Sequence, residues 1–385
     1  MRPLDDIKVI EFCQVAAGPF CGMLLADMGA DVIKVEHPAG GDSMRQWPPL
    51  NDGFSENFAS VNRNKRSVVL DLKSDEGQHA AHALALSADV VIENFRSGVL
   101  ARLGLGYEAL AKDKPKLIYC SISAYGQSGP RARDGGFDLT VQAFSGVMSV
   151  TGEAGGAPVK CGVPISDFSA GLYGAYAILS ALHKVRRGGE GQHIDVSMLG
   201  ATLGVAALQT SEYFGTGKDP VKLGSAHPRN APYQAFKARD GYFAMAAGND
   251  KLWRAVCDIT GHPELFSDPR FNTTPDRAAN QTELKDILET IFTERDAADW
   301  IAAFNDCGVP CTPINTYSQA LADAQVAHMG WVRDLELPSG AKTKTFASPV
   351  GMSAETLDIF RPPPDLGAHT DEVLAEIGLK KPDSD

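Results

Sequence analysis

The chain has 385 residues, of which 44% are hydrophobic and 22% charged, and its formal net charge is −12. This length exceeds one ordinary domain and suits two, and the composition is typical of a soluble globular protein. The acidic balance argues against nucleic acid as a partner, because phosphate backbones attract basic proteins. An anionic ligand would need basic residues gathered locally.

Targeting signals are not evident in the sequence. The N-terminal stretch MRPLDDIKVIEF lacks the apolar core and the cleavage pattern of a signal peptide. The longest uncharged run, 168–183, is shorter than the roughly 20 residues that span a bilayer. Seven scattered cysteines without zinc-binding spacing favour reduced thiols. We therefore expect a cytoplasmic protein with no membrane partner and no metal site.

Short apolar strands alternate with helices in the first part of the chain. Strands are predicted over 8–12, 31–36, 67–72, 89–95 and 116–123, and helices over 18–30 and 75–86. This alternation predicts a Rossmann-like, doubly wound parallel sheet with helices on both faces. Ligands of such sheets bind at the carboxyl ends of the strands. The sequence places polar and aromatic residues beside glycines at those ends.

The pattern changes after residue 200. A hairpin is predicted over 233–247, with Arg239-Asp240-Gly241 at its turn, and helical patterns follow over 250–325. We therefore divide the chain into four segments. They are a large α/β domain (1–200), a linker (201–232), a small α+β domain (233–325), and a segment (326–385) that returns to the large domain and ends in a helix.

The first strand–helix–strand unit invites a dinucleotide-binding interpretation. Glu36 ends the second strand, where a ribose-binding acid would lie. However, the glycines of AAGPFCG are Gly18 and Gly22, which do not form GxGxxG, and Pro19 is ordinary at a helix start. A nicotinamide oxidoreductase is therefore disfavoured. Hydrolase and NTPase motifs such as HExxH and the P-loop are also missing from the sequence.

A basic cluster stands out in this acidic chain. The stretch VNRNKRSVVLDLKS (61–74) holds Arg63, Lys65, Arg66 and Lys73. One interpretation is a solvated, solubilising face. The other is a pocket for a multiply charged phosphate ligand. The residues alone leave both open.

Asp167 is the single charged residue of GVPISDFSAGLYGAYAILSAL (162–182). It precedes an apolar helix, so the simpler interpretation is that it caps that helix. A carboxylate at a helix N-terminus is also well placed to act as a nucleophile, because the backbone N–H groups there hold it ionised and oriented. Both roles are compatible with one residue.

Six blocks of the sequence resemble the family III CoA-transferases, the formyl-CoA and carnitine CoA-transferase group. They are KVIEFCQVAAGPFCGMLLADMGADVIKVEHPAGGD, NRNKRSVVLDLK, DVVIENFRSGVLARLGLGY, LIYCSISAYGQSGP, GVPISDFSAGLYGAYAIL and RPPPDLGAHTDEVL. They run in order over nearly the whole chain. The resemblance implies an enzyme that moves coenzyme A from an acyl-CoA donor to a free carboxylic acid. It further implies an interlocked homodimer with no tightly bound cofactor.

The resemblance also assigns site residues one by one. The family's nucleophile falls on Asp167 and implies an aspartyl-CoA thioester formed through a mixed anhydride. Its glycine-rich loop, which supports oxyanions, falls on Gly248 and Asn249, where a plain helix cap is the alternative. A glutamine of some members falls on Ala16, so no role is assigned to Gln14. The positions implied to bind CoA are His37, Leu70, Lys73, Asn94, Phe95, Arg102 and Tyr125.

Related functions must be weighed against CoA transfer. Acyl-CoA racemases of the same fold pair the aspartate with a histidine in a GHD motif, because inverting a carbon requires a second acid–base group. Here the stretch is GGFDL (135–139), and Phe137 occupies the histidine position, which favours a transferase. A non-catalytic CoA-binding subunit is disfavoured, because Asp167 and the glycine of the 246–253 loop are both present.

The identity of the acceptor acid is less well defined. The stretch 224–243 is most similar to members that act on short dicarboxylates, such as succinate or glutarate. His227 and Arg229 are candidate ligands of the second carboxylate. A linker with two solvated basic residues is an equal alternative, and oxalate, carnitine-like and aromatic acids stay open.

Overall fold

The computed structural model describes residues 2–380. Its strands are β1 (Lys8–Phe12), β2 (Asp31–Glu36), β3 (Leu50–Asn51), β4 (Phe54–Ser55), β5 (Lys65–Val69), β6 (Val90–Glu93), β7 (Ile118–Ser123), β8 (Gln192–Ser197), β9 (Tyr233–Lys237), β10 (Tyr242–Ala246), β11 (Cys311–Pro313), β12 (Val332–Glu336) and β13 (Lys342–Phe346). Its α-helices are α1 (Ala17–Asp27), α2 (Glu56–Asn62), α3 (Asp75–Ser87), α4 (Val99–Arg102), α5 (Tyr107–Asp113), α6 (Asp138–Phe144), α7 (Val147–Val150), α8 (Ile165–Arg186), α9 (Met198–Val205), α10 (Ala207–Thr216), α11 (Asp250–Thr260), α12 (Thr274–Ala279), α13 (Gln281–Phe292), α14 (Ala297–Asp306), α15 (Tyr317–Leu321), α16 (Ala324–Met329) and α17 (Thr370–Glu376). Residue 1 and residues 381–385, the ends of the predicted segments 1–200 and 326–385, lie outside the described part.

A six-stranded parallel sheet forms the centre of the first unit. Its strand order is β5-β2-β1-β6-β7-β8, with every pairing parallel. Neighbouring residues of one strand enter opposite cores, as Val9 and Ile10 do, because side chains alternate across a sheet. One core is completed by α1 and α8, and the other by α3 and α17. The predicted parallel sheet with helices on both faces is therefore confirmed.

Close packing of α8 against α1 brings two helix starts together at one edge of this sheet. A Cβ on Gly171 would lie 2.9 Å from the Ala17 carbonyl oxygen, and one on Gly174 would lie 3.1 Å from Cys21 Sγ. Only a residue without a side chain lets the backbones approach this closely. The glycines of the GLYG stretch therefore position the first turn of α8, which carries Asp167.

The chain divides into two compact units at positions that differ from the predicted segments. The first unit comprises 1–147, 160–218 and 325–385, and the second comprises 148–159 and 219–324. The beginning of the predicted linker 201–232 is helical, since it contains the end of α9 and all of α10. The returning segment 326–385 carries an antiparallel hairpin, β12–β13, that the sequence interpretation did not include.

The second unit has an antiparallel sheet in the order β11-β10-β9, packed with helices α11, α13 and α14. The predicted hairpin around Arg239-Asp240-Gly241 is confirmed as β9–β10. Its core is rich in aromatic rings, among them Trp253, Phe292 and Trp300. Across residues 2–380, each helix is either too short or too polar to span a bilayer.

Candidate active site

A cavity of about 330 Å³ opens in the first unit at the carboxyl ends of β1, β6 and β7. Its walls come from the turn after β1 (14–17), the turn after β6 (94–97), the end of β7 (122–124), Ala132 and the segment 134–137, together with Met198 and Asp167. This is the edge of a doubly wound sheet at which ligands bind. The cavity is therefore the candidate active site.

Asp167 is the third residue of α8, within the first turn of the helix rather than at its cap. The cap position is Pro164, and the prediction that Asp167 caps the helix is wrong. Among residues 2–380 no group donates a hydrogen bond to the Asp167 carboxylate. Burial, followed by repulsion from Asp138, raises the pKa of Asp167 to about 7. This direction runs against the expectation that helix N–H groups favour the ionised form of this carboxylate.

Asp138 accepts one N–H of the first turn of α8. Its Oδ1 accepts the Ser166 N–H at 2.9 Å, and its Oδ2 accepts the Gln142 side-chain amide at 2.7 Å. The Ser166 hydroxyl in turn accepts a hydrogen bond from Thr202 at 2.9 Å. Asp138, a residue to which the sequence assigned no role, thus ties its segment to the start of α8. The sequence signal that could have identified Asp138 is its position in GGFDL, at the start of a helical pattern.

Replacing Asp138 by asparagine is expected to lower the pKa of Asp167, because a neighbouring negative charge is removed. Ionised Asp167 would then be present at lower pH, and the rising limb of the pH profile of kcat/KM would move to lower pH. The profile of wild type and Asp138→Asn, measured from about pH 5 to pH 9, checks this. An unmoved limb would mean that Asp138 does not influence Asp167.

The raised pKa of Asp167 also predicts how stability depends on pH. Its folded pKa, about 7, lies above the ordinary value of 3.8, so the folded chain holds this proton more tightly than the unfolded chain. Wild-type stability should therefore fall as pH rises between these two values and stay lower above them. Asparagine does not ionise, so Asp167→Asn avoids this loss of stability. We expect the variant to be about 1–3 kcal/mol more stable than wild type near pH 8.5.

Urea unfolding near pH 4 and near pH 8.5 measures this difference. The matched control is Asp75→Asn, which changes an exposed carboxylate in the first turn of α3. We expect Asp75→Asn to have little effect at either pH. Equal stability of wild type and Asp167→Asn near pH 8.5 would contradict the raised pKa.

Asn94 joins two walls of the cavity. The Gln14 N–H donates to Asn94 Oδ1 at 2.9 Å, and Asn94 Nδ2 donates to the Gln14 carbonyl at 2.8 Å. The Asn94 amide therefore fixes the turn after β1 against the turn after β6. Gln14, to which the sequence assigned no role, lines the cavity beside Asn94 and Phe95. Arg96 also lines it and is the single basic residue among the lining residues.

The remaining positions implied to bind CoA do not line this cavity. His37, at the end of β2, and Lys73 and Arg102 are exposed, and Tyr125 is half-buried. Leu70 is only 2% exposed and belongs to the core. The roles of these five residues stay predictions.

Gly248 and Asn249 lie in the second unit, in the turn between β10 and α11. Asn249 is the cap of α11, and its Oδ1 accepts the Leu252 N–H at 3.0 Å. A Cβ on Gly248 would lie 2.6 Å from the Cβ of Asn230, so the turn has no room for a side chain there. The capping alternative is thus observed for Asn249, and the catalytic role of the loop stays a prediction.

His227 and Arg229 belong to one turn of the second unit. His227 Nδ1 accepts the N–H groups of Arg229 and Asn230, both at 3.1 Å. The imidazole therefore organises the turn with one ring nitrogen and packs against Tyr233, with ring centroids 5.1 Å apart. Binding of a second carboxylate by this pair stays a prediction.

The basic cluster is mostly internal, so both interpretations of it are wrong for three residues. The side chains of Arg63, Lys65 and Arg66 are at most 4% exposed, and each is an ion-pair partner of carboxylates. Lys73 alone is exposed. The paired carboxylates are Asp27 with Arg63, Glu11 with Lys65, and Asp31, Glu372 and Glu376 with Arg66.

Phe137 lies in the wall of the cavity with 75% of its surface exposed. A racemase requires acid–base groups on both sides of the inverted carbon. A phenyl ring transfers no proton, and the residues lining the cavity include no histidine. The cavity walls therefore favour chemistry that needs the Asp167 carboxylate without a histidine partner.

Comparison with known proteins gives a consistent result. The model of CoA-transferase family III matches residues 4–370. The succinate–glutarate CoA-transferase of Agrobacterium fabrum is 43% identical over 382 residues, which cover 97% of this chain and 96% of that protein. The human succinyl-CoA:glutarate CoA-transferase is 38% identical over 378 residues, which cover 98% of this chain and 86% of that protein.

A solved structure agrees with these relatives. The crystal structure of a CAIB/BAIF family protein from Brucella suis superposes with a TM-score of 0.86 and is 39% identical. The superposition covers 98% of this chain and 99% of the Brucella suis chain. The predicted transferase class is thereby confirmed, and the chain belongs to CoA-transferase family III.

Proposed function

We propose that the chain transfers coenzyme A from an acyl-CoA to a short dicarboxylic acid, with Asp167 as the nucleophile. The observation that carries the proposal is the state of the Asp167 carboxylate. It is half-buried in the wall of the cavity and, within the described residues, is neither hydrogen-bonded nor ion-paired. A carboxylate held by a structural partner would be a poor nucleophile. Asp167 is free to react once ionised.

The first half of the reaction moves coenzyme A onto the enzyme. An oxygen of ionised Asp167 attacks the carbonyl carbon of the donor thioester, and the C–S bond breaks. This gives a mixed anhydride and the CoA thiolate. The thiolate then attacks the Asp167 carbonyl carbon, and the anhydride C–O bond breaks. The donor leaves as a carboxylate, and Asp167 is left as a CoA thioester.

The second half repeats these steps in reverse. The acceptor carboxylate attacks the Asp167 thioester and displaces the thiolate, which then attacks the acyl carbon of the acceptor. The products are the new acyl-CoA and the free Asp167 carboxylate. No proton or electron is gained or lost over the cycle. Dividing one difficult exchange into four acyl transfers lowers each barrier.

Each acyl transfer passes through a negatively charged oxygen that donors must stabilise. Ala16 and Ala17, at the start of α1, line the cavity, and α1 has no side-chain cap. The first N–H groups of an uncapped helix have no partner within the helix. They are therefore candidate donors, together with the predicted loop of Gly248 and Asn249.

Two observations support a dicarboxylate as the acceptor. Both relatives described above are named for succinate or succinyl-CoA and glutarate. In addition, Arg96 gives the cavity wall a guanidinium, which pairs well with an anionic group of either substrate. We retain His227 and Arg229 as the proposed ligands of the second carboxylate.

We also propose that the protein is a homodimer, as the family resemblance implies. An exposed apolar face supports this. Its side chains are Leu172, Tyr173, Tyr176, Leu179, Val205, Leu208, Tyr213 and Phe214, on α8 to α10. Apolar surfaces of this kind mark protein interfaces. Analytical ultracentrifugation at micromolar concentration tests the proposal, with a dimer as the expected species.

Incubation of the purified protein with succinyl-CoA and glutarate tests the proposed function. We expect glutaryl-CoA to form, at least about tenfold faster than the CoA ester of a monocarboxylic acid of equal length. The control is a 2-methylacyl-CoA in deuterated water. Deuterium at its α-carbon without acyl exchange would indicate an isomerase and contradict the proposal.

A further inference from the structure

The turn between β1 and α1 contains a strained residue. Val15 has φ of 65°, in the left-handed region that glycine favours. A β-branched residue in that region is a genuine outlier, and its backbone is strained. Such strain persists only where surrounding contacts impose it. Val15 lines the cavity between Gln14 and Ala16, so its backbone conformation shapes this wall of the cavity.

Asp42 makes the contacts that impose this conformation. The Val15 N–H donates to both carboxylate oxygens of Asp42, each at 3.1 Å. Asp42 is itself fixed, since its N–H donates to Glu36 Oε2 at 3.0 Å and its Oδ1 accepts the Met44 N–H at 3.0 Å. It is 1% exposed. A rigid, buried carboxylate therefore holds the Val15 amide.

Asp42 belongs to a buried ion network that also contains Glu11, Lys34 and Lys65. Lys34 Nζ lies 3.0 Å from Asp42 Oδ2 and 3.1 Å from Glu11 Oε1. Lys65 Nζ lies 2.8 Å from Glu11 Oε2. All four side chains are fully buried. Two positive and two negative charges thus balance in the interior.

The ion network contacts the turn and the start of α1 at three backbone atoms. Lys34 Nζ donates to the Cys13 carbonyl at 2.8 Å, Asp42 accepts the Val15 N–H, and Lys65 Nζ donates to the Pro19 carbonyl at 2.8 Å. These atoms lie before, within and after the part of the turn that lines the cavity. A buried ion network adds little net stability compared with apolar packing of the same volume. Its distinct contribution is a defined geometry.

We infer that Glu11, Lys34, Asp42 and Lys65 are positioning residues that hold the wall 14–17 in its strained, reaction-competent conformation. The inference rests on the proposed function of the cavity. Asp42 acts most directly, because it alone binds the strained amide. Loss of this contact lets the Val15 backbone relax and displaces the wall 14–17. A displacement near 1 Å is enough to lower the rate about 10²-fold.

The test compares Asp42→Asn with the double variant Asp42→Asn/Val15→Gly. Asparagine keeps the shape of Asp42 but lacks its charge, and we expect kcat to fall by about 10- to 100-fold with KM for acyl-CoA changed less. Glycine adopts positive φ without strain. We therefore expect the double variant to regain at least about fivefold of the lost kcat, a coupling that distinguishes positioning from general destabilisation.

Asp27→Asn is the matched control. Asp27 is another buried aspartate, and it pairs with Arg63 at 2.6 Å without contacting the turn 13–19. We expect this variant to lose comparable stability and to keep its kcat once folded. If Asp42→Asn lost no more kcat than Asp27→Asn, or if Val15→Gly gave no recovery, the inference would be overturned.

Amide hydrogen exchange of Val15 separates this inference from the proposed function. We expect exchange to be slow in wild type, at least about tenfold faster in Asp42→Asn, and unaccelerated in Asp27→Asn beyond its change in global stability. If the wild type transferred no CoA, the proposed function would be wrong, but the exchange rates would still test whether Asp42 fixes the Val15 amide. Equal Val15 exchange in wild type and Asp42→Asn would overturn the positioning role on its own.

Discussion

Replacing Asp167 by alanine is expected to lower kcat/KM for CoA transfer by at least about 10³-fold, because the nucleophile is lost. The cavity offers no substitute at that position, since its other carboxylate belongs to Asp134 on the exposed 132–137 segment. Asp167→Glu should retain part of the activity with a misplaced carboxylate. Steady-state kinetics with succinyl-CoA and glutarate measure the effect.

Loss of folding does not account for this expected result. Removing the Asp167 carboxylate should stabilise the chain above neutral pH, because the folded state disfavours its ionisation. Asp75→Ala, an exposed first-turn aspartate of α3, serves as the control and should stay within about twofold of wild type. An Asp167→Ala enzyme with more than a tenth of wild-type kcat/KM would refute the assignment.

Replacing Glu11 by glutamine is expected to destabilise the first unit by at least about 3 kcal/mol. Glu11 lies between the Lys34 and Lys65 ammonium groups, at 3.1 and 2.8 Å, and none of these three side chains is exposed to solvent. Without its charge, Lys34 keeps its ion pair with Asp42, whereas Lys65 loses the carboxylate with which it pairs. An uncompensated buried charge is among the costliest changes in a core.

The exposed pair Asp6–Arg186 provides the comparison. Its atoms are 2.6 Å apart, but its side chains are 65% and 51% exposed, so Asp6→Asn should cost less than about 1 kcal/mol. Urea unfolding of both variants near pH 7.5 gives the two values. A Glu11→Gln variant within 1 kcal/mol of wild type would show that the Glu11 charge contributes little to the stability of the first unit.

The sheet could be predicted from the sequence because its signals are local. Apolar runs such as KVIEF and DVIKVE become β1 and β2 with the predicted bounds. The edge strand β8 was missed, since its run QHIDVS carries polar residues at alternate positions. Helices within 201–232 were missed because its glycines and its Lys218-Asp219-Pro220 stretch dominated the interpretation.

The errors share one physical cause, which is that polar groups are satisfied by residues distant in sequence. Lys65 pairs with Glu11 and Arg66 with Glu376. These side chains of the basic cluster are therefore internal, although the sequence predicts either a solvated face or a ligand pocket. The Ser166 N–H in the first turn of α8 donates to Asp138, 28 positions earlier, and not to the nearby Asp167. Periodicity carries no information on such contacts, nor on the positive φ of Val15.

Intact-protein mass spectrometry after brief mixing with succinyl-CoA, without an acceptor acid, measures whether Asp167 carries coenzyme A. We expect wild type to gain the mass of coenzyme A less one water, and peptide mapping to place the gain on Asp167. The Asp167→Ala enzyme should show no such gain. A stable adduct on another residue, or CoA transfer to glutarate by Asp167→Ala at the wild-type rate, would contradict Asp167 as the nucleophile.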